Sequence, residues 1–215
     1  MLNKEYFLDY FDKEKLKDKN CLRNYKNRRT IFVEKIDGEK YYIKKYVPHK
    51  QRKRAIAFGL RRDRAEHYKF ISEKLDKLGI EHVKPEFVTV NRKSFFERES
   101  LLVTKDGGTP LGEFPDFDKI QNRKLMHKFF DYFIIMCKNG IFPTDYNFGG
   151  ALVKDDKLYL IDFDPYRTKL VVTKKFKEYI IHKLERRMYL ETKREKEFED
   201  YLKSQVSRVR KELGW

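Results

Sequence analysis

Apolar residues recur with different periods along this chain, and the changes of period divide it into stretches of different character. TIFVEKI at 30–36 and YYIKKYV at 41–47 are rich in branched and aromatic residues and flank Asp37-Gly38. That dipeptide accepts the positive φ angles of a tight two-residue turn, so the stretch predicts a β-hairpin. Over 62–78 the period lengthens to that of a helix, with Ala65, Tyr68, Ile71, Leu75 and Leu78 on one face and Gly79 as its stop. Residues 85–90 and 95–103 read as two further strands. Lys105-Asp106-Gly107-Gly108 then breaks the pattern and predicts a hinge over 105–109.

Helical spacing dominates after the hinge. Ile120, Met126, Phe129, Phe130, Phe133 and Cys137 predict a long helix over 118–138, ended by Asn139-Gly140. An irregular loop carrying Asp145 follows, then a strand at 150–153, a turn at Lys154-Asp155-Asp156-Lys157 and an apolar strand at 158–163. The remainder, about 172–212, is predicted to be helical and highly charged. Alternating signs such as Lys193-Arg194-Glu195-Lys196-Glu197 mark a solvated face. Tyr189, Phe198, Tyr201, Leu202 and Val206 add an apolar stripe, which would pack on the neighbouring helices or dock at a membrane surface. Strands with one helix first, and mostly helices afterwards, predict an α+β chain of two lobes. The expected division is a small antiparallel-sheet lobe over 1–104 and a reduced, mainly helical lobe over 110–215.

Composition narrows the partners. The chain has 215 residues, 40% of them hydrophobic, with 18 Phe and 14 Tyr, which excludes disorder by low hydrophobicity. Its formal net charge of +16 fits a polyanion partner (nucleic acid, an anionic membrane face or a phosphorylated substrate) or, as the alternative, only the Lys-rich surface common where genomes are AT-rich. Nucleic acid ranks last, because no recognition motif and no regular interleaving of aromatic with basic residues is present. Cys21 and Cys137 are too few and too far apart for a disulfide framework or zinc site, and Cys137 reads as a buried thiol in a reducing compartment. His49, His67, His82, His127 and His182 lack metal-ligand spacing. Lys4, Glu5 and Asp9 argue against a signal peptide, and no apolar run approaches the roughly 20 residues that span a bilayer. The expectation is a cytoplasmic protein, peripheral on the inner face of the inner membrane.

The candidate chemistry lies in Thr144-Asp145-Tyr146-Asn147-Phe148-Gly149-Gly150 and Leu160-Ile161-Asp162-Phe163-Asp164. Phosphoryl transfer divides its work between one carboxylate that orients and deprotonates the attacking hydroxyl and another that holds Mg²⁺ against nucleotide phosphates. A loop Asp, a β-hairpin and an Asp-Phe pair follow in the order kinases use for these roles. A kinase also needs a strand Lys on the nucleotide phosphates and a helix Glu to fix it. Lys44 fits the first, facing inward with Tyr42 and Tyr46 and leaving Lys45 toward solvent. Glu66, read as mid-helix among apolar positions, fits the second. Val103 and Lys105, at the entrance to the hinge, complete the candidate nucleotide-binding set. The glycine-rich loop that usually covers phosphates is absent: the corresponding segment is Asn24-Tyr25-Lys26-Asn27-Arg28-Arg29.

In the order Arg23, Thr30-Ile31-Phe32-Val33, Tyr41-Tyr42-Ile43-Lys44, Arg62-Asp63-Arg64-Ala65-Glu66, Gly140-Ile141, Asp145, Gly149-Gly150 and Leu160-Ile161-Asp162, the chain resembles the lipopolysaccharide core heptose kinases over about residues 22–170. These are short bacterial relatives of protein kinases that also tend to lack the glycine-rich loop. The resemblance implies a protein-kinase-like two-lobed fold, ATP and Mg²⁺ as cofactors, and a sugar hydroxyl of a glycolipid at an anionic membrane surface as acceptor. It assigns phosphate contact to Lys44, the pairing role to Glu66, the base to Asp145 and the metal to Asp162. Departures from the family pattern are visible. Gly150 stands where the second metal ligand, an Asn, is usual; Pro143 replaces a common His; and Asp164 replaces the glycine after Asp-Phe. Asn147 is the candidate to supply the missing catalytic and metal contact, with Gly150 expected to need a glycine backbone. A kinase for a protein or soluble small molecule, and a basic pseudokinase acting as a binding module, remain as alternatives.

Overall fold

A computed structural model describes residues 4–26, 28–116, 118–119, 122–190 and 195–215. The chain divides into two compact units: residues through Glu73 with Val83–Asp106, and Lys74–His82 with Gly107–Trp215.

The first unit is built on one antiparallel sheet. Its strands are β1 (Cys21–Tyr25), β2 (Arg29–Ile36), β3 (Glu39–Tyr46), β4 (Pro85–Arg92) and β5 (Arg98–Lys105), in the spatial order β1-β2-β3-β5-β4. The predicted hairpin is present. Asp37 and Gly38 take φ angles of 51° and 82°, the pair of positive values a tight hairpin turn demands. Where β1 meets β2, Tyr25 pairs with Arg29 and the Arg28 N–H donates to Tyr25 O at 2.9 Å.

One face of this sheet carries Phe32, Tyr41, Ile43, Leu101 and Val103, and it is sealed by Phe7 and Tyr10. Those two rings come from α1 (Lys4–Leu8) and the 3₁₀ turn Asp9–Phe11. This N-terminal cover overturns the expectation that Lys45 faces solvent. Lys45 shares the covered face with Tyr41 and Ile43, is only 6% exposed, and pairs with Glu99 at 3.3 Å. The basic patch after β3 is itself a helix, α2 (Lys50–Ala57), capped by the His49 ring, which accepts from the Arg52 N–H. The predicted helix over 62–78 is α3 (Arg64–Lys77), with Ala65, Tyr68, Ile71 and Leu75 buried. Asp63 caps it by accepting from the Ala65 N–H at 3.0 Å.

In the second unit the long helix is α4 (Arg123–Lys138), which buries Met126, Phe129, Phe130, Phe133 and Cys137. Ile120 lies outside the described residues. Burial pushes the Cys137 thiol well above the usual range, as expected of a packed, inert cysteine. The charged C-terminal stretch forms α5 (Lys174–Leu190) and α6 (Lys196–Leu213). Of its apolar stripe, Phe198, Leu202 and Val206 are buried where α6 meets α4 and α5, Tyr201 is half-buried and Tyr189 is exposed, so the greater part is packing surface. Lys193 and Arg194 of the charge run lie outside the described residues. No helix among the described residues is long and apolar enough to cross a bilayer. The rest of this unit consists of β6 (Thr109–Pro110), β8 (Ala151–Lys154) and β9 (Lys157–Leu160) in one small sheet, and β7 (Ile141–Pro143) with β10 (Tyr166–Thr168) in a two-stranded ladder.

Candidate active site

The β7–β10 ladder brings the two candidate carboxylates into one neighbourhood. Pro143 is opposite Tyr166, Phe142 opposite Arg167 and Ile141 opposite Thr168. Asp145 leaves the ladder just after β7, and Asp162 precedes β10 by one short turn. Three further bonds tie the loops together. Thr144 donates through both its N–H (3.3 Å) and its Oγ1 (2.8 Å) to Pro165 O, and the Ile161 N–H donates to Gly150 O at 2.9 Å. The ladder starts at Gly140, whose φ is +74°; an added Cβ there would stand 2.6 Å from Lys169 O, so only glycine fits.

Asn147 shapes the first loop. Its Oδ1 accepts from the Gly150 N–H at 3.1 Å, capping the 3₁₀ turn Phe148–Gly150, while its Nδ2 donates to Asp145 Oδ1 at 3.2 Å. One amide therefore orients the candidate base and closes the turn behind it. Gly150 has no positive φ, and a Cβ there would meet Ile161 O at an ordinary 3.7 Å. The expectation that this position needs a glycine backbone is thus corrected.

Asp162 lies beyond its strand rather than at its end, because β9 stops at Leu160. The reason is its backbone: φ is +63°, a left-handed conformation that no strand can include and that costs a non-glycine residue about 1–3 kcal/mol. The strain is held by the neighbour. Phe163 is fully buried, its ring 5.8 Å from His82 and 5.2 Å from Tyr166. The strand is also anchored, as the Leu160 N–H donates to Glu81 O at 3.1 Å. Burial first, then the charge of Asp162 and more weakly that of Asp145, holds the Tyr166 phenol well above its usual range. Both carboxylates thus act on one ring.

Among the described residues no three His, Cys, Asp or Glu side chains gather into a metal cage. Mg²⁺ is commonly held by one or two carboxylates together with nucleotide phosphates, and Asp162, a hard oxygen donor fixed by its buried neighbour, fits that mode.

Sequence reasoning missed the basic side chains beside Asp145. Arg187 of α5 places Nε 2.6 Å from Asp145 Oδ1. Together with Thr144, Pro165, Tyr179, Lys183 and Arg186 they line a hollow of about 440 Å³. Cations outnumber the single carboxylate there, which suits an anionic occupant. A helix with mixed charges reads as a solvated face in any sequence, so nothing short of the fold singles out these three cations.

In the first unit, Lys44 lies on the central strand β3, opposite Ile31 and Leu102, and is 6% exposed. It shares its face with Tyr46, whose ring lies beside the Arg64 guanidinium. Glu66 is in the first turn of α3 and exposed, not mid-helix among apolar neighbours. Val103 is fully buried on the opposite face of the sheet from Lys44, within the core sealed by Phe7. Lys105 ends β5 and pairs with Glu39 at 3.8 Å.

No family model matches the sequence, and no curated protein matches it. Among solved structures the chain is similar to WaaP in complex with acyl carrier protein. The TM-score is 0.58, over 92% of this chain and 82% of that one, at 16% sequence identity. The chain has the protein-kinase-like fold.

Proposed function

We propose that the protein is an ATP-dependent phosphotransferase that modifies a sugar hydroxyl of an anionic glycolipid, with heptose of the lipopolysaccharide inner core as the leading acceptor. The observation that carries the reading is the common origin of the Asp145 and Asp162 loops on the β7–β10 ladder, with Asp162 in a strained left-handed backbone. The motif resemblance to the core heptose kinases supplies the acceptor class, and the fold likeness to WaaP is consistent with it.

In this reading Asp145 accepts the proton of the attacking hydroxyl, oriented by Asn147 and Arg187, which both meet its Oδ1. Mg²⁺, when bound with the nucleotide, would neutralise charge developing on the transferred phosphoryl group. Asp162 is the residue that would hold it, and Lys44 is the candidate for the nucleotide phosphates. Lys183 and Arg186 would attract an acidic group next to the accepting hydroxyl.

One observation favours a second reading. The guanidinium of Arg187 already occupies Asp145, as it would in a pseudokinase that binds without transfer. Purified protein incubated with Mg²⁺-ATP and dephosphorylated core lipopolysaccharide separates the two. Transfer is expected, abolished by Asp162→Asn and reduced about 10²–10⁴-fold by Asp145→Asn. Absence of both transfer and Mg²⁺-dependent ATP binding would discard the enzyme. Transfer to a soluble sugar or a protein, but not to the glycolipid, would discard only the acceptor.

A further inference from the structure

The first unit exposes a cluster of large apolar side chains that no core absorbs. Phe58 and Leu60, in the turn after α2, are 65% and 78% exposed, and Phe95 and Phe96, at the tip of the β4–β5 hairpin, are 59% and 45% exposed. They form one patch. Phe58 lies 6.1 Å from Phe95 and 6.3 Å from Phe96, and the last two meet edge to face at 4.9 Å. The turn that presents them is specific: Gly59 has φ +70°, and the Gly59 and Leu60 N–H groups donate back to Ile56 O and Ala55 O, so the chain reverses with both flanking side chains outward.

Beside the patch is a cavity of about 810 Å³, lined by Ile56, Leu60 and Phe95 and by Arg61, Arg62, Arg92 and Arg98, with Glu66 as its acid. The Nε of Arg98 is shielded from solvent there without a hydrogen-bond partner. Such an arrangement offers guanidinium forks to a phosphate and aromatic rings to an apolar layer directly next to it. A soluble surface gains nothing from either alone, since exposed apolar area costs about 25 cal/mol per Å² relative to burial. A second copy of this chain is a poor occupant, because its face would set arginine against arginine. An anionic bilayer matches both halves of the patch: headgroup phosphates for the cations, and the interfacial layer for the rings.

We propose that the Phe58–Leu60 turn and the Phe95–Phe96 tip insert into the interface of an anionic membrane while Arg61, Arg62, Arg92 and Arg98 bind lipid phosphates. This extends the glycolipid reading by naming the surface that meets the bilayer, and its observations are independent of Asp145 and Asp162.

The test is co-sedimentation of the full chain with phosphatidylcholine vesicles, with and without phosphatidylglycerol. Binding is expected only with the anionic lipid and weakens as salt rises. The Phe95→Ser/Phe96→Ser double variant should bind about 10-fold more weakly or worse, from the interfacial burial of two rings. Arg61→Gln/Arg62→Gln should lose roughly 30-fold, at about 1 kcal/mol per cation. Lys174→Gln/Lys175→Gln, which removes the same charge from exposed positions of α5, should bind like the parent. All these positions are exposed, so circular dichroism should be unchanged in every variant, and only the loss of Arg62 from the face of the Phe70 ring should lower Tm, by about 2–4 °C. Asp162→Asn should bind vesicles normally, which keeps failure of the transfer reading distinct from failure of this one. Four results would overturn the proposal: no vesicle binding, binding indifferent to phosphatidylglycerol, the serine variant binding like the parent, or the same residues capturing an acidic acyl carrier protein but not vesicles.

Discussion

The Asp145–Asp162 region of the second unit and the Lys44–Lys45 strand of the first carry comparable candidate chemistry, yet they are held in place by different means. Around the carboxylates the joints are mainly backbone: Thr144 to Pro165 O, Ile161 to Gly150 O, and Gly140 against Lys169. Around the lysines the joints are side chains, namely a sealed aromatic core on one face and the Lys45–Glu99 ion pair on that same face. Backbone joints depend on conformation, so they are broken by a methyl group at the wrong φ. Side-chain joints depend on charge and volume, so they are broken by truncation.

That contrast is sharpest at Gly140. Gly140→Ala is expected to cost about 3 kcal/mol or more, because the left-handed backbone penalty adds to a Cβ–oxygen collision. Gly150→Ala, ten residues on and in the same loop system, should be nearly silent, since its Cβ meets nothing closer than 3.7 Å. Thermal melts of the two variants check this, with roughly 2–4 °C expected per kcal/mol for a chain of this size. Equal losses would mean that the loops are not held by the conformation of Gly140.

For the lysine strand, Lys45→Ala should destabilise by about 2–3 kcal/mol. That is below the roughly 3–5 kcal/mol for breaking a fully buried pair, because Lys93 also approaches Glu99, at 3.8 Å. Lys44→Ala should instead act on Mg²⁺-ATP affinity, with Lys45→Ala leaving that affinity intact at temperatures where the variant is folded. Chemical denaturation and nucleotide titration on both variants decide it; loss of ATP binding in both would erase the distinction between the two faces.

The smallest expected effect concerns Asp63, the buried cap of α3. Burial raises its carboxyl pKa, against the opposing hydrogen bond from the Ala65 N–H. The folded state therefore holds the proton more tightly than the unfolded chain, whose carboxyl titrates near 3.9. Stability from this group is greatest below that value and declines as pH rises through the raised native pKa. Asp63→Asn keeps the cap acceptor without the charge, so its Tm should match the parent near pH 4 and exceed it increasingly toward pH 7. A constant Tm difference across that range would mean Asp63 does not titrate there.

Much of this architecture was legible before any coordinates, wherever the physics is local. Asp37-Gly38 specifies its turn through two residues' φ preferences; Ala65, Tyr68, Ile71 and Leu75 specify a buried helix face through period alone. The order of Asp145, a hairpin and Asp162-Phe163 pointed to a kinase-like fold because loop and strand chemistry alternate there within twenty or so residues. Whether a given face is covered, and by what, is not local. Lys45 is buried because residues 7–11 fold back over its sheet face, and alternation along β3 cannot say which of its two faces receives a lid. Arg187 meets Asp145 only because α5 packs beside the β7–β10 ladder, and one arginine in a charged helix looks like the next. Phe58 and Phe95 stand exposed on two separate turns that the fold sets side by side, although residue 95 opens a stretch predicted as a strand. The sequence by itself determined turns, helix faces and the order of chemical groups, because those are set by neighbours along the chain. Only the tertiary structure decided burial, pairing and exposure, because those depend on which distant segments meet.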